Sequence, residues 1–398
     1  MVNQNNFEQT FIPFGLPAIG KEEEDAVLRV LRSGWITTGK ETLAFEKEFA
    51  DFISDKNDPV QCLAVNSATS GLMLAMDACG INSSNKILTT PYTFISTATA
   101  ACHLGAGVVY ADIEKNTYNI DPNQIEKKLK ENSDIKAIVP VHIAGLPCNM
   151  KAIMDIAKHY NVTVIEDAAH AFPSKTKEGF AGTLSDIGVY SFYATKPITT
   201  GEGGMICCRN PEFLQRMMTM RLHGIDRPVW NRYTSDKASW EYDVIEPGFK
   251  CNLPDILSTI GRIQLKKSMD LFNQRVKIAE TYNKAFSEYD FLQLPPDGDG
   301  HAWHLYMLRI VPKKLNINRN EFTELLQKSG IGISMHFIPH FRMTYMKKTF
   351  NLNEVDFPNA SKQFSTSFSL PFWPGMTDDM INKVIETVIR IGKEHYVC

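Results

Sequence analysis

Between residues 61 and 208, short β-rich runs alternate with longer amphipathic stretches, and this alternation constrains the fold more than any other feature. Residues 61–65, 86–89, 108–111, 137–141 and 162–165 read as strands. Between them lie helical stretches: one through Leu72, Leu74, Met76 and Cys79, one over 94–104, one carrying Ile125 and Leu129, and one through Ile153, Ile156 and Ala157. Asp121 with Pro122 forms an N-cap and first-turn pair, and Asn149 caps the next helix. Near-continuous apolar strands separated by helices predict a mostly parallel sheet covered on both faces. Right-handed crossovers then leave few topologies.

After Gly204 the pattern changes. Residues 205–208 read as a strand and 211–222 as a helix, while 227–246 is polar, aromatic-rich and without period, a loop over a site or interface. A long helix starts after Pro254 and runs past Tyr282. From His301 the reading is α+β, with strands over 303–311 and 331–337 and helices over 321–328 and 378–391. The expected division is a large α/β domain over 1–265 and a smaller α+β domain over 266–398. A chain of 398 residues suits two packed domains. Its net charge of −3 supplies no excess cation for nucleic acid or an anionic membrane. The polar first residues lack a secretory pattern, and the most apolar stretch, 98–111, is too short to span a bilayer. Eight cysteines without a CxxC pair suggest reduced thiols. A cytoplasmic enzyme is expected.

Three features carry chemistry. Asn66-Ser67-Ala68-Thr69-Ser70-Gly71 joins a strand to a helix, where free first-turn N–H groups and the helix dipole favour a phosphate. Val164-Ile165-Glu166-Asp167-Ala168-Ala169-His170 ends a buried strand, where open α/β sheets bind ligands. A carboxylate there, Asp167 rather than Glu166, can stabilise a protonated ring nitrogen. Finally, Lys196 lies between a β-like segment and the glycine-rich turn Gly201-Glu202-Gly203-Gly204, among small and apolar neighbours that would desolvate its amine. Each alone has an ordinary explanation: a capping turn, a helix cap, a solvated lysine. Together they meet the requirements of pyridoxal phosphate.

From Phe14 nearly to the C-terminus the chain resembles the DegT/StrS family of sugar aminotransferases. The resemblance rests on SGWITTGKE at Ser33, NSATSG at Asn66, TPYTFISTATA at Thr90, VIEDAAHA at Val164, GTLSDIGVYSFYATKPITTGEGG at Gly182, RLHGI at Arg221, GFKCNLPDI at Gly248 and HAWHLY at His301. GWITTGKE, EDAAHA and HAWHL are similar to the UDP-4-keto-pentose aminotransferases of lipid A modification. The resemblance implies the aspartate-aminotransferase-like fold of type I, with a mostly parallel seven-stranded sheet. It also implies pyridoxal 5′-phosphate in a Schiff base with Lys196, Asp167 on the pyridinium nitrogen, Phe94 stacked on the ring, and Ala68, Thr69 and Ser191 around the phosphate. His170 stands where many members carry Gln near the phenolic oxygen. Asn252 matches a residue the partner subunit gives to the phosphate, which implies a homodimer. Thr38, Arg227, Tyr233 and His336 fall on the substrate side, with L-glutamate as donor and a nucleotide-linked keto sugar as acceptor.

Other readings make different demands. A sugar dehydratase of the same family would replace Lys196 with histidine. A regulator that kept the fold would lose Lys196 or Asp167, or add a DNA-binding module. A nicotinamide enzyme would need G-x-G-x-x-G where Asn66–Gly71 stands. His301 with His304, and His336 with His340, lack a third ligand, so no metal is expected and core or surface histidines are the better account. Glu22-Glu23-Glu24-Asp25 reads as the solvated first turn of a helix.

Overall fold

The computed structural model describes residues 11–55, 57–226 and 242–397. Two helices, α1 (Lys21–Ser33) and α2 (Lys40–Ile53), precede the sheet. There follow β1 (Gln61–Val65), α3 (Ala68–Ala78), β2 (Lys86–Thr89), α4 (Ser96–His103), β3 (Gly107–Tyr110), α5 (Pro122–Glu131), β4 (Ile135–Ile138), α6 (Met150–Tyr160) and β5 (Thr163–Asp167). The caps are those the sequence predicts. Asp121 accepts from Asn123 N, Asn149 from Ala152 N, and Ser67 from Ser70 N at the head of α3.

A two-stranded ribbon, β6 (Lys175–Thr176) and β7 (Gly179–Phe180), separates β5 from β8 (Ile187–Ser191), and β9 (Gly204–Cys208) leads into α7 (Pro211–Met220). Among the described residues the large sheet has seven strands in the order β1-β9-β8-β5-β4-β2-β3. The chain is α/β, as the resemblance to fold type I implies, with its sheet parallel except at β9, which runs antiparallel to both β8 and β1. Because β1, β2, β5 and β8 share a direction, their C-terminal ends lie along one edge. Alternate residues of the strands serve opposite faces. Leu63, Val65, Val189 and Ile206 pack beneath α3, while Ala64, Tyr190, Met205 and Cys207 pack against Phe45 and Phe49 of α2.

Helix α8 (Asp255–Phe286) belongs to two cores. Leu265 and Leu271 join the α2 side of the sheet, whereas Ile278, Ala279, Tyr282 and Phe286 join the C-terminal core. That second core surrounds a small antiparallel sheet of β10 (Leu292–Gln293), β11 (Met307–Ile310) and β12 (Ser367–Ser369). It is closed by α9 (Arg319–Lys328) and, beyond α10 (Thr344–Phe350) and α11 (Pro358–Thr366), by α12 (Asp378–Glu394).

Three expectations are corrected. The strand over 331–337 is irregular chain, with isolated bridges at Ile331 and Ser334 in place of a ladder. The strand over 303–311 shortens to Met307–Ile310, because Trp303 takes φ +47°, outside the extended region. Glu23 is buried rather than solvated: it accepts from Gly20 N and Gln264 and pairs with Lys267. Its neighbours on the helix, Glu22 and Glu24, are exposed.

Candidate active site

The shared strand edge gathers the three motifs. Asp167, the last residue of β5, is 3% exposed. Its Oδ2 accepts from Thr97 Oγ1 at 2.8 Å and its Oδ1 from Ala169 N at 3.2 Å. Burial raises its pKa, and the Thr97 and Ala169 bonds and the charge of Lys196 pull the other way. Glu166, one residue earlier, faces the other side of the sheet and is fully used there. It accepts from Gly182 N, Leu184 N, Ser185 Oγ and His142 Nε2 at 2.7 to 2.9 Å. Cys148 N donates to His142 Nδ1, which places the proton of the Glu166 bond on His142 Nε2.

Lys196 sits at the tip of the connection between β8 and β9. Phe192 N donates to Gly203 O and Thr200 N to Phe192 O, closing the connection's base, and Lys196 N donates to Tyr193 O. Gly201 takes φ +83°, which lets the chain reverse there without strain. Lys196 is half-buried, and burial pulls its ammonium down to about 8 against the opposing pull of Asp167. At neutral pH a measurable fraction of the amine is therefore unprotonated.

Ala68 and Thr69 open α3. The first helical bond runs from Gly71 N to Ser67 O, and Ser67 Oγ caps Ser70 N. The amides of Ala68 and Thr69 precede both, so the helix itself gives them no acceptor. Gly204 lies against them: a Cβ there would come within 2.8 Å of Ala68 N and 2.9 Å of Ser67 C. Gly204 is paired with Ser191 at the end of β8. A side chain at 204 would fill the space above the helix terminus.

His170 is buried, and Ala144 N donates to its Nδ1 at 3.3 Å. Burial and the charges of Lys196 and His336 hold its pKa well below the usual imidazole range. The ring is therefore neutral with its proton on Nε2. Phe337 stacks on it at 5.4 Å and His304 packs at 4.5 Å. Ala144, at φ +59°, joins the two histidines, since its carbonyl accepts from His304 N at 2.9 Å. Phe94 is 58% exposed, its ring 6.2 Å from that of Phe337. His336 bonds Ser369 through Nδ1 and feels the Lys196 charge.

Asn252 and Thr38 meet each other instead. Asn252 Nδ2 donates to Thr38 Oγ1 at 2.6 Å, and Thr38 Oγ1 donates to Leu253 O at 2.6 Å. Arg227 and Tyr233 lie outside the described residues. No group of three metal-ligating side chains occurs among the described residues. Thr97 and Phe337 were not singled out in the sequence, whereas His304 was weighed there only as a metal ligand and Gly204 only as part of the glycine-rich turn. Thr97 lay within the quoted TPYTFISTATA, but only the crossing of α4 over β5 reveals its bond to Asp167.

The donor set can be matched to pyridoxal phosphate group by group. Two amides without acceptors suit its phosphate, a buried carboxylate short of donors suits its ring nitrogen, and an amine of lowered pKa suits its aldehyde. The Nε2–H of His170 suits its phenolic oxygen. The residues fit.

Comparison with solved structures agrees. A putative sugar aminotransferase, Spr1654 from Streptococcus pneumoniae in its PMP form, is 27% identical with a TM-score of 0.88, covering 96% of this chain and 99% of that one. PseC of Helicobacter pylori, an aminotransferase of pseudaminic acid biosynthesis, is 28% identical with a TM-score of 0.88, covering 97% and 100%. Fold and site define a pyridoxal-phosphate-dependent enzyme. Residues 17–389 match the DegT/DnrJ/EryC1/StrS aminotransferase family, and the chain belongs to it. The spore coat polysaccharide biosynthesis protein SpsC of Bacillus subtilis is 42% identical over 396 residues, covering 99% of both chains.

Proposed function

We propose that this chain transfers an amino group from L-glutamate to the keto group of a nucleotide-linked deoxy sugar bound for a cell-surface glycan or a secondary-metabolite sugar. The observation that carries the proposal is the mutual electrostatic influence of Lys196, on the β8–β9 connection, and Asp167, at the end of β5, with the Ala68 and Thr69 amides opening the neighbouring helix. The names of SpsC and PseC support a polysaccharide or sugar product.

When bound, pyridoxal phosphate supplies an aldehyde that exchanges amines and a ring that takes up electrons from a deprotonated carbon. Asp167 holds the proton on the ring nitrogen, with Thr97 fixing its carboxylate. Lys196 Nζ would take the proton from the donor α-carbon and return it to the carbon on the far side of the shared nitrogen, as base and then acid. Its pKa of about 8 suits both roles near neutrality. His170 donates through Nε2, the Ala68 and Thr69 amides with Ser191 hold the phosphate, and Phe94 covers a ring face. Asn252 serves the partner subunit's phosphate in a homodimer. Thr38, Arg227, Tyr233 and His336 contact substrate, whose nucleotide supplies binding energy remote from the reacting carbon.

The test is incubation of the holoenzyme with L-glutamate and a panel of nucleotide-linked keto sugars. Amino sugar should form in equal amount with 2-oxoglutarate. A holoenzyme whose visible band responds to glutamate yet aminates no keto sugar would refute the acceptor. A protein that stays colourless after added cofactor would refute the cofactor role as well.

A further inference from the structure

The small domain contains a cavity of about 410 Å³ lined by Arg319, Arg342, Asn318, Met335, Ile338 and Phe364. Two guanidinium groups approach the single ring of Phe364, at 4.8 and 4.9 Å from its centroid. Arg342 is balanced by Glu354 at 2.7 Å. Arg319 is not balanced. It is 6% exposed and bonds to Asn320 Oδ1, the sulfur of Met335 and Ser367 O, all uncharged, and it forms no ion pair among the described residues. A buried cation without a counter-charge is costly, and a second cation facing the same ring adds repulsion. An oxyanion in the cavity would relieve both, because guanidinium forks match phosphate oxygens. Asn318 and Asn320 add polar groups at the mouth, while Met335 and Ile338 give an apolar wall.

We propose that this cavity is a binding site for a phosphoryl group, distinct from the cofactor cradle at Ala68 and Thr69. Met335 and Ile338 flank His336 and Phe337, so occupancy of the cavity would bear on the segment that packs against His170. The shared chemistry is the phosphate dianion. Its source is either free phosphate or the phosphates of a nucleotide.

The experiment titrates inorganic phosphate and, separately, UDP into the holoenzyme by calorimetry; the bound cofactor keeps the cradle occupied. Saturable binding of at least one probe is expected. It should weaken about tenfold or more in Arg342→Gln, the loss of one charge-assisted contact. Arg319→Lys, which keeps the charge but loses the fork, should weaken it less. Phosphate binding would show that the free ion suffices. Binding of UDP alone would assign the phosphoryl group to a nucleotide. No binding of either probe to the coloured, folded holoenzyme, or equal binding by wild type and Arg342→Gln, would overturn the proposal. The visible band reports the aminotransferase reading separately, so the two can fail independently.

Discussion

Two buried aspartates show how differently this protein treats its interior and its working edge. Asp255, at the head of α8, accepts from Gly39 N, Glu41 N, Thr42 N and Thr42 Oγ1 at distances of 2.7 to 3.2 Å. It ties α2 to α8 and leaves little for a ligand to add. Asp167 is also buried but, among the described residues, accepts only from Thr97 and Ala169. Full satisfaction marks a structural carboxylate; a shortfall at a strand end marks one reserved for a partner.

This contrast can be broken or sharpened by substitution. The largest effect is expected at the amine Asp167 faces: Lys196→Ala should fold normally yet lose about 10⁴-fold or more in turnover, since it removes both the cofactor's attachment and the general base. Mass analysis after borohydride reduction should find cofactor mass on the Lys196 peptide in wild type and none in the variant. Next, Asp167→Asn should lower turnover by about 10²- to 10³-fold, because an amide cannot hold the ring nitrogen protonated, while leaving the melting temperature unchanged or higher. A melting temperature that fell with the activity would place Asp167 beside Asp255 as structural.

Asp255→Ala should show the reverse: a loss of stability of about 3 kcal/mol from donors stranded in the interior, with near-normal turnover per folded molecule. Denaturant titration checks the first and active-site titration the second. Thr97→Val should cost about tenfold in turnover, the worth of one hydrogen bond to a charged group. The smallest test is of pH. With the Lys196 amine titrating near 8, the rate at which apoprotein takes up pyridoxal phosphate should climb as pH rises toward 8 and level off above it. A rate still climbing through pH 10, the range of an ordinary lysine, would show that burial does not tune this amine.

The same contrast explains what the sequence could reveal. Strands β1 and β2 were legible to the residue, since each is a short apolar run with turn or cap residues after it, as Ser67 caps the helix that follows β1. The C-terminal region was less legible. Segments 301–306 and 331–341 are largely buried yet irregular, because their backbone groups bond to distant chain: His304 N to Ala144 O, Gly332 N to Ile12 O, and His340 N to Pro91 O. No local period encodes such pairings. At the site, Lys196, Asp167 and the cradle were visible because each sits where a motif changes type. Thr97 and His304 were not, because their roles arise where elements cross. Glu23 misled for a related reason: charge suggested solvent, and only α8 supplies Gln264 and Lys267 to cover it.

Helix α8 has a mechanical consequence. Leu265 and Leu271 are anchored in one core, and Tyr282 and Phe286 in the other, along one uninterrupted backbone. A wide clamshell motion would have to snap the i to i−4 ladder between these anchors, so the shaft favours small rocking. Entry and exit of a bulky reactant would then fall to surface loops, and turnover should prove more sensitive to loop shortening than to stiffening of this helix.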